Sequence, residues 1–212
     1  IMFRACDQVF SSIESSKKAG WKYSVNVQIV EVYNEKLRDL LTDAPVAEAP
    51  ELAARTDPTT GTVYVENLSI HEATCSDDAI VMLQRALDSR CTKATNMNST
   101  SSRSHCIFTM RFRGERASTS EVSDGIMHFC DLAGSERLAV SGSAEEPALL
   151  REAQNINKSL SCLGNTISAL VRGDSHVPYR DSRLTYLLSG SLGGNGKCLM
   201  LCNLGGERSH LQ

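Results

Sequence analysis

Long apolar runs and paired cysteine motifs are absent from the 212-residue sequence. No apolar run approaches the roughly 20 residues that a membrane-spanning helix needs, so we expect neither a membrane span nor a signal peptide. None of the 8 cysteines forms a Cys-x-x-Cys pair, which argues against a zinc site or a redox motif. We interpret the cysteines as reduced residues of the core, which indicates an intracellular protein.

A strong charge of one sign is also missing. The formal net charge is −3, which argues against a generally basic nucleic-acid-binding protein, so we expect no nucleic acid among the partners. The hydrophobic fraction of 41% and the charged fraction of 22% are typical of a folded globular domain. A chain of 212 residues fits one domain with a substantial core.

The sequence contains no Gly-x-x-x-x-Gly-Lys-Ser/Thr segment, the loop that wraps backbone amides and a lysine around phosphates. The nearest imitation, residues 191–198 (Ser-Leu-Gly-Gly-Asn-Gly-Lys-Cys), lacks the first glycine and the terminal hydroxyl. It also follows a predicted helix and precedes a predicted strand, which is the reverse of the required order. We therefore interpret it as an unrelated glycine-rich turn.

Two short polar segments stand out from what is present: residues 98–105 (Asn-Ser-Thr-Ser-Ser-Arg-Ser-His) and residues 131–136 (Asp-Leu-Ala-Gly-Ser-Glu). A strand-like run at 106–112 follows the first, and another at 126–130 leads into the second. If the two runs pair as neighbours in one sheet, the polar segments meet at one edge of that sheet. Hydroxyls, a carboxylate and a glycine amide would then face the same point.

The residue types in these segments suit a site for a metal ion and phosphate. Ser101 and Ser102 carry small hydroxyls that can ligate Mg²⁺ or contact phosphate oxygens, because hard cations prefer oxygen ligands. Asp131 follows a strand and can hold a water of that ion, and Gly134 has no side chain to keep a phosphate from its amide. Each segment alone also fits ordinary loop chemistry, but the two together favour a sensor of a nucleotide γ-phosphate.

Arg103 in the first segment and Glu136 in the second have opposite charges. A bidentate ion pair between them would latch the two segments together. The plainer interpretation is an exposed salt bridge between two loops, which would contribute little to stability.

Apolar periodicity predicts the other elements of an α/β domain. Helices are expected at 1–16, at 76–90, from 148 to a stop near Gly173, and at 181–189. A long strand is expected at 21–32, short strands at 61–65 and 68–70, and a last strand at 197–204. Residues 33–41 are expected to form a turn and a short helix, and 42–57 a surface loop.

The two polar segments resemble switch I (98–105) and switch II (131–136) of the kinesin motor domain. Two later blocks, at 155–160 (Asn-Ile-Asn-Lys-Ser-Leu) and 176–185 (His-Val-Pro-Tyr-Arg-Asp-Ser-Arg-Leu-Thr), also resemble kinesins. The resemblance implies a P-loop NTPase-like α/β fold with a central, mostly β-sheet flanked by helices. It implies that residues 1–212 are one partial motor domain, its central and C-terminal portion, without the N-terminal part that carries the Walker A loop and without the last helix.

The resemblance also implies an ATP hydrolase with ATP and Mg²⁺ as cofactors. The residues expected to hold the nucleotide are Asn98, Ser101, Ser102, Asp131 and Gly134. Ser101 and Ser102 would contact the metal, its waters or the γ-phosphate, and Asp131 would bind the metal through a water. The expected catalytic residues are Arg103, Glu136, Ser101 and Ser102. Because the Walker A loop is missing, we expect the chain alone to be inactive.

The resemblance places a microtubule-facing helix and loop at residues 148–190. The residues expected to contact the microtubule are Asn157, Lys158, Arg172, Tyr179, Arg180 and Arg183. The basic members suit acidic tubulin by charge complementarity. The loop at 137–147 is acidic and Gln154 is neutral, where kinesins commonly carry lysines, so we expect weaker and more salt-sensitive binding than that of a typical motor.

A motor of this family would lie on microtubules of the cytoplasmic cytoskeleton, with its oligomeric state set by stalk segments outside this sequence. An adaptor that has lost nucleotide binding and attaches passively to microtubules or proteins remains an alternative. The complete set of switch residues favours the motor, whereas the missing phosphate loop favours the adaptor. A GTPase based on residues 131–134 is disfavoured because no Asn-Lys-x-Asp segment is present.

Overall fold

The computed structural model describes residues 1–42, 48–91, 100–135 and 147–203. Their central element is an antiparallel β-sheet. The strands of this sheet are, in spatial order, β2 (Lys36–Asp39), β1 (Trp21–Tyr33), β6 (His105–Arg116) and β7 (Glu121–Asp131), and β5 (His71–Glu72) also pairs with β1. β3 (Ala53–Thr56) and β4 (Val63–Glu66) form a separate hairpin. The helices are α1 (Met2–Lys17), α2 (Ser76–Cys91), α3 (Pro147–Arg172), α4 (Arg183–Leu187) and α5 (Ser189–Leu192).

β6 and β7 form a long antiparallel hairpin in which Cys106 pairs with Asp131 and Arg116 with Glu121. The two apolar runs therefore pair as neighbours in one sheet, which was the condition for the polar segments to meet. Because antiparallel strands run in opposite directions, the start of β6 and the end of β7 lie at the same edge of the sheet. This edge brings the end of switch I next to the start of switch II.

The core lies on both faces of the sheet because successive strand residues point to opposite sides. On one face, Ile29 and Phe108 belong to an apolar cluster that includes residues of α1 and α2. On the other face, Val30 and Ile107 pack in a cluster with Leu163 of α3 and with leucines of α4. The helices thus flank the sheet in two layers, and the predicted α/β class is confirmed.

Residues 33–41 do not contain the short helix that was expected, because they turn tightly and enter β2. Asn34 and Glu35 both have positive φ, 52° and 59°, which matches the left-handed pair of a type I′ hairpin turn. The backbone groups of β1 form ladder hydrogen bonds with residues 36–39. These bonds favour a strand more than the helical spacing of the leucines in this segment favours a helix.

Three other expectations about strands were wrong. The supposed loop at 42–57 contains β3, and the pairing expected at 68–70 begins instead at His71. Within the described chain, residues 197–203 pair with no strand, and Leu199 is 83% exposed. An apolar pattern gives a segment strand propensity, but a strand also needs a neighbouring edge to pair with.

The expected helix at 181–189 is divided into a 3₁₀ turn (Tyr179–Asp181), α4 and α5. The division falls at Ser182, which caps α4 because its side chain accepts a hydrogen bond from the backbone N–H of Thr185 at 3.2 Å. Across the described ranges, no helix combines the length and the apolar character needed to cross a membrane.

The cysteines do not all belong to the core, which corrects the interpretation from sequence. All 8 are free thiols. Cys6, Cys106 and Cys162 are buried, Cys130 is half-buried, and Cys75, Cys91, Cys198 and Cys202 are exposed. Burial cannot be read from an apolar neighbourhood in sequence alone, because helix ends and unpaired segments expose such residues.

Candidate functional site

The two switch segments touch through their backbones. The N–H of Gly134 donates a hydrogen bond to the carbonyl oxygen of Ser102 at 2.9 Å. Ser102 lies in a 3₁₀ turn (Thr100–Arg103) immediately before β6, and Gly134 lies three residues after β7. The expected convergence of these two positions at one sheet edge is therefore present in the structure.

Several of the expected site residues fall outside the described structure. Asn98 and Glu136 are outside the described ranges, and Ser101 lies in the 3₁₀ turn without a described side chain. The predicted ion pair between Arg103 and Glu136 therefore stays a prediction. The Ser102 side chain is exposed, and Arg103 is half-buried.

Arg90, a residue that the sequence analysis missed, holds Asp131 in place. Its side chain is 3% exposed, and its Nη1 donates to Oδ2 of Asp131 at 2.7 Å. Its Nη2 donates to the carbonyl oxygen of Ser104 at 3.2 Å. Burial alone would favour the neutral guanidine, but the hydrogen bond to Asp131 and the nearby negative charges outweigh it and raise the pKa of Arg90. One buried cation thus connects the last residue of β7 to switch I.

Glu31, near the carboxyl end of β1, compensates the charge of Arg90. Its side chain is 2% exposed, and its Oε1 accepts a hydrogen bond from the Ser104 hydroxyl at 2.7 Å. Arg90 and Arg38 place their Nε atoms 3.6 Å and 3.3 Å from its carboxylate oxygens. The available signal was an acidic residue within the apolar run at 29–33 of β1, since an isolated buried carboxylate requires a cationic partner.

His105, the first residue of β6, is 3% exposed and is hydrogen-bonded at both ring nitrogens. Nδ1 accepts the backbone N–H of Ala133 at 3.0 Å, and Nε2 lies 2.8 Å from the hydroxyl of Ser159 on α3. Burial, with a smaller effect from the charge of Arg90, lowers the pKa of His105 to about 4. The ring is therefore neutral near pH 7.

Asp131 and Ser102 have the chemistry that a magnesium site needs. Both residues offer oxygen atoms, the atoms that Mg²⁺ prefers. The Asp131 side chain is 55% exposed although Arg90 holds one of its oxygens, so water can reach the carboxylate. The donor set at this edge therefore fits a hydrated divalent cation.

The microtubule-contact candidates divide into two groups. Lys158, Arg180 and Arg183 line a cleft of about 440 Å³, together with Glu35, Asp181, Ser182 and Tyr186. None of these three cations pairs with a carboxylate among the residues that the structure describes. Arg172 lies outside this cleft lining, Asn157 is exposed, and Tyr179 is half-buried.

Arg172 differs from the three cleft cations because its charge is already compensated. Its Nη2 and Nε donate to Oδ2 of Asp174 at 2.6 Å and 3.1 Å. The same contact raises the pKa of Arg172 and lowers the pKa of Asp174. A partner would have to compete with Asp174 for this guanidinium.

The hairpin turn between β1 and β2 joins the cleft to α3. Asn155 donates from Nδ2 to Oδ1 of Asn34, and Glu35 accepts the backbone N–H of Arg183 at 2.9 Å. These two contacts attach one turn to α3 and to the amino end of α4. The cationic residues of the cleft are therefore held by the same sheet that carries the switches.

The two adjoining switch segments on an α/β sheet define a nucleotide-switch type of domain, and comparison with known proteins gives its family. The model of the kinesin motor domain matches residues 1–212. Kinesin-like protein klpA of Emericella nidulans is 42% identical over 98% of this chain, which covers 27% of that protein. Carboxy-terminal kinesin 2 of Xenopus laevis is 40% identical over 95% of this chain, which covers 31% of that protein.

Solved structures agree with these relatives. The motor domain of the kinesin-like protein KAR3 of Saccharomyces cerevisiae superposes with a TM-score of 0.85 at 40% identity, covering 100% of this chain and 62% of that one. The chain therefore belongs to the kinesin motor-domain family. It spans between a quarter and a third of the length of the curated relatives named above.

Proposed function

We propose that this chain is the switch-bearing and microtubule-binding part of an ATP-driven microtubule motor. The observation that supports the proposal most directly is the hydrogen bond between Gly134 and Ser102, which joins the two switch segments at one sheet edge. A change of the partner of Gly134 would alter the contact between the segments. A sensor of a γ-phosphate needs such a contact, which changes when the phosphate binds or leaves.

In this proposal, Mg²⁺-ATP lies against the switch edge of the sheet. The residues that would hold it are Asn98, Ser101, Ser102, Asp131 and Gly134. The metal supplies charge neutralisation for phosphoryl transfer when bound. Ser102, an exposed residue, would offer the metal its hydroxyl, and Asp131, oriented by Arg90, would hold one of its waters.

Catalysis at such a site consists mainly of positioning and charge stabilisation. Arg103 and Glu136 would pair across the two segments and orient the attacking water, with Glu136 accepting its proton through a relay. The 212 residues contain no Walker A loop, and we propose that they do not hydrolyse ATP by themselves.

The cleft beside α3 and α4 would bind acidic tubulin. Lys158, Arg180 and Arg183 supply three cations without internal ion pairs in the described ranges, so their charges are available to carboxylates of a partner. Glu35 and Asp181 line the same cleft and reduce its net charge. This mixture supports a weak and salt-sensitive contact, on microtubules of the cytoplasm.

The adaptor remains the second candidate because the sequence lacks a phosphate loop. Steady-state ATP hydrolysis by the intact protein, with and without microtubules, separates the two functions. We expect hydrolysis that microtubules accelerate and that Arg103→Ala abolishes. Microtubule co-sedimentation without any hydrolysis, and with no effect of nucleotide on binding, would establish the adaptor.

A further inference from the structure

His105 connects three elements that are distant in sequence. It begins β6, its Nδ1 contacts the backbone of Ala133 in switch II, and its Nε2 contacts Ser159 on α3. The side chains of His105 and Ser159 are 3% and 2% exposed, so water does not compete for these contacts. Both hydrogen bonds therefore work in a dry environment, where losing one partner is costly.

The chemistry of the donors gives the direction of each of the three hydrogen bonds that link Ala133, His105, Ser159 and Ile156. A backbone N–H can only donate, so Nδ1 of His105 carries no proton. The neutral ring then carries its proton on Nε2 and donates it to Oγ of Ser159. Oγ of Ser159 donates in turn to the carbonyl oxygen of Ile156 at 2.8 Å. The relay runs from Ala133 through His105 and Ser159 into the backbone of α3.

The position of Ala133 shows how a movement in switch II would reach His105. Ala133 precedes Gly134, whose N–H is bound to Ser102 in the structure. If Gly134 exchanges that partner for a phosphate oxygen, the adjoining peptide of Ala133 must shift. The shift either moves the imidazole, and Ser159 with it, or breaks one of two buried hydrogen bonds. A rigid connection between packed elements transmits such small shifts.

We propose that His105, as the Nε2–H tautomer, is a positioning residue that couples switch II to α3 through Ser159. This inference rests on the proposed function. The side chain of His105 is buried, so it is not offered to a partner at the surface. Its role is to make the position of α3, whose exposed residues include Lys158, depend on the position of the Ala133 peptide.

The same helix provides a matched control in Thr166. Its hydroxyl is buried, with the residue 0% exposed, and it has no hydrogen-bond partner in the described part of the chain. Thr166→Val removes a buried hydroxyl from α3 without cutting any connection to the switches. Ser159→Ala removes a buried hydroxyl that is connected to them. A difference between these variants therefore reports the connection and not the loss of a hydroxyl.

The test measures ATP hydrolysis of the intact protein at increasing microtubule concentration. We expect Ser159→Ala to leave the basal rate within about two-fold and to lower the microtubule-stimulated rate by about five- to ten-fold, the effect of one buried hydrogen bond. Thr166→Val should retain the wild-type stimulation. His105→Gln, whose amide can still donate toward Ser159, should lose less stimulation than His105→Asn, whose side chain is too short to reach it.

Two outcomes overturn the inference. One is a Ser159→Ala protein with wild-type stimulation, even if its unfolding midpoint falls, because the bond would then be structural only. The other is a histidine ¹⁵N spectrum of the intact protein that shows the proton of His105 on Nδ1. A wild-type protein whose hydrolysis microtubules do not stimulate would refute the proposed function itself, and the coupling with it.

Discussion

The buried ionic cluster and the exposed cationic cleft use charge in opposite ways. In the cluster, formed by Glu31, Arg90, Ser104 and Asp131, each buried charge has a partner within 3.6 Å. In the cleft, formed around Lys158, Arg180 and Arg183, the cations pair with no carboxylate of the described chain. Paired buried charges specify a geometry, whereas exposed charges without partners are available to another molecule. The cluster therefore holds the switch segments in place, whereas the cleft leaves its cations available to another molecule.

The largest expected effect comes from removing the cation of the cluster. Arg90→Ala removes one of the two cations beside the buried carboxylate of Glu31 and releases Asp131, so we expect a loss of about 3–5 kcal/mol in the free energy of unfolding. Urea denaturation at neutral pH measures it. Arg172→Ala, which removes an exposed ion pair with Asp174, should cost much less. Equal effects of the two substitutions would erase the contrast between buried and exposed charge.

The next effect is a loss of stability in mild acid. Burial lowers the pKa of both His105 and His128 from 6.5 to about 4. Below pH 6.5 the unfolded chain takes up protons at these positions while the folded chain does not, so stability falls as the pH drops toward 4. We expect a loss of about 2 kcal/mol per histidine at pH 5 relative to pH 7.

Urea unfolding at several pH values measures this loss, and a His128→Asn variant sharpens it. The variant should retain only about half of the acid sensitivity, because His105 remains. A variant with the full sensitivity of the parent protein would show that His128 titrates normally in the folded state.

A smaller effect is expected at the hairpin turn that follows β1, the strand that carries Glu31, and that contacts the cleft. Asn34 has φ of 52°, a conformation that alanine adopts only with strain. Asn34→Ala should cost about 1 kcal/mol more than Asn34→Gly, because both lose the contact with Asn155 and only alanine adds strain. Thermal unfolding of the two variants gives the difference. Equal melting temperatures would mean that the turn does not keep its left-handed backbone.

The smallest effect on stability is expected in the cleft itself. Arg183→Ala and Lys158→Ala should each change the free energy of unfolding by less than about 0.5 kcal/mol, as exposed positions do. Each should nevertheless weaken microtubule co-sedimentation several-fold at low salt, with a smaller difference at high salt because ions screen exposed charges. Arg172→Ala should weaken it less, since Asp174 already compensates that guanidinium. Equal losses for all three variants would contradict the division of the cations into two groups.

The pairing of β6 with β7 could be anticipated because each strand contains an apolar run, which is a local signal. The switch segments were predictable because their residue types serve one chemistry. β2 and β3 were missed because a short segment forms a strand only where a neighbouring strand offers it backbone partners, here β1 and β4. Arg90 was missed because an arginine near the end of an amphipathic helix is normally exposed, and here Glu31 and Asp131 surround it.

The sequence by itself determined the family, the two switch segments and the strands that carry them, because these features are encoded in contiguous residues. Only the tertiary structure decided which residue holds Asp131, which nitrogen of His105 carries the proton, and which cations have no carboxylate partner among the described residues. Arg90 is 41 positions from Asp131, and His105 is 54 from Ser159. Sequence separation places no limit on proximity in a folded sheet, so these contacts follow from packing and not from spacing.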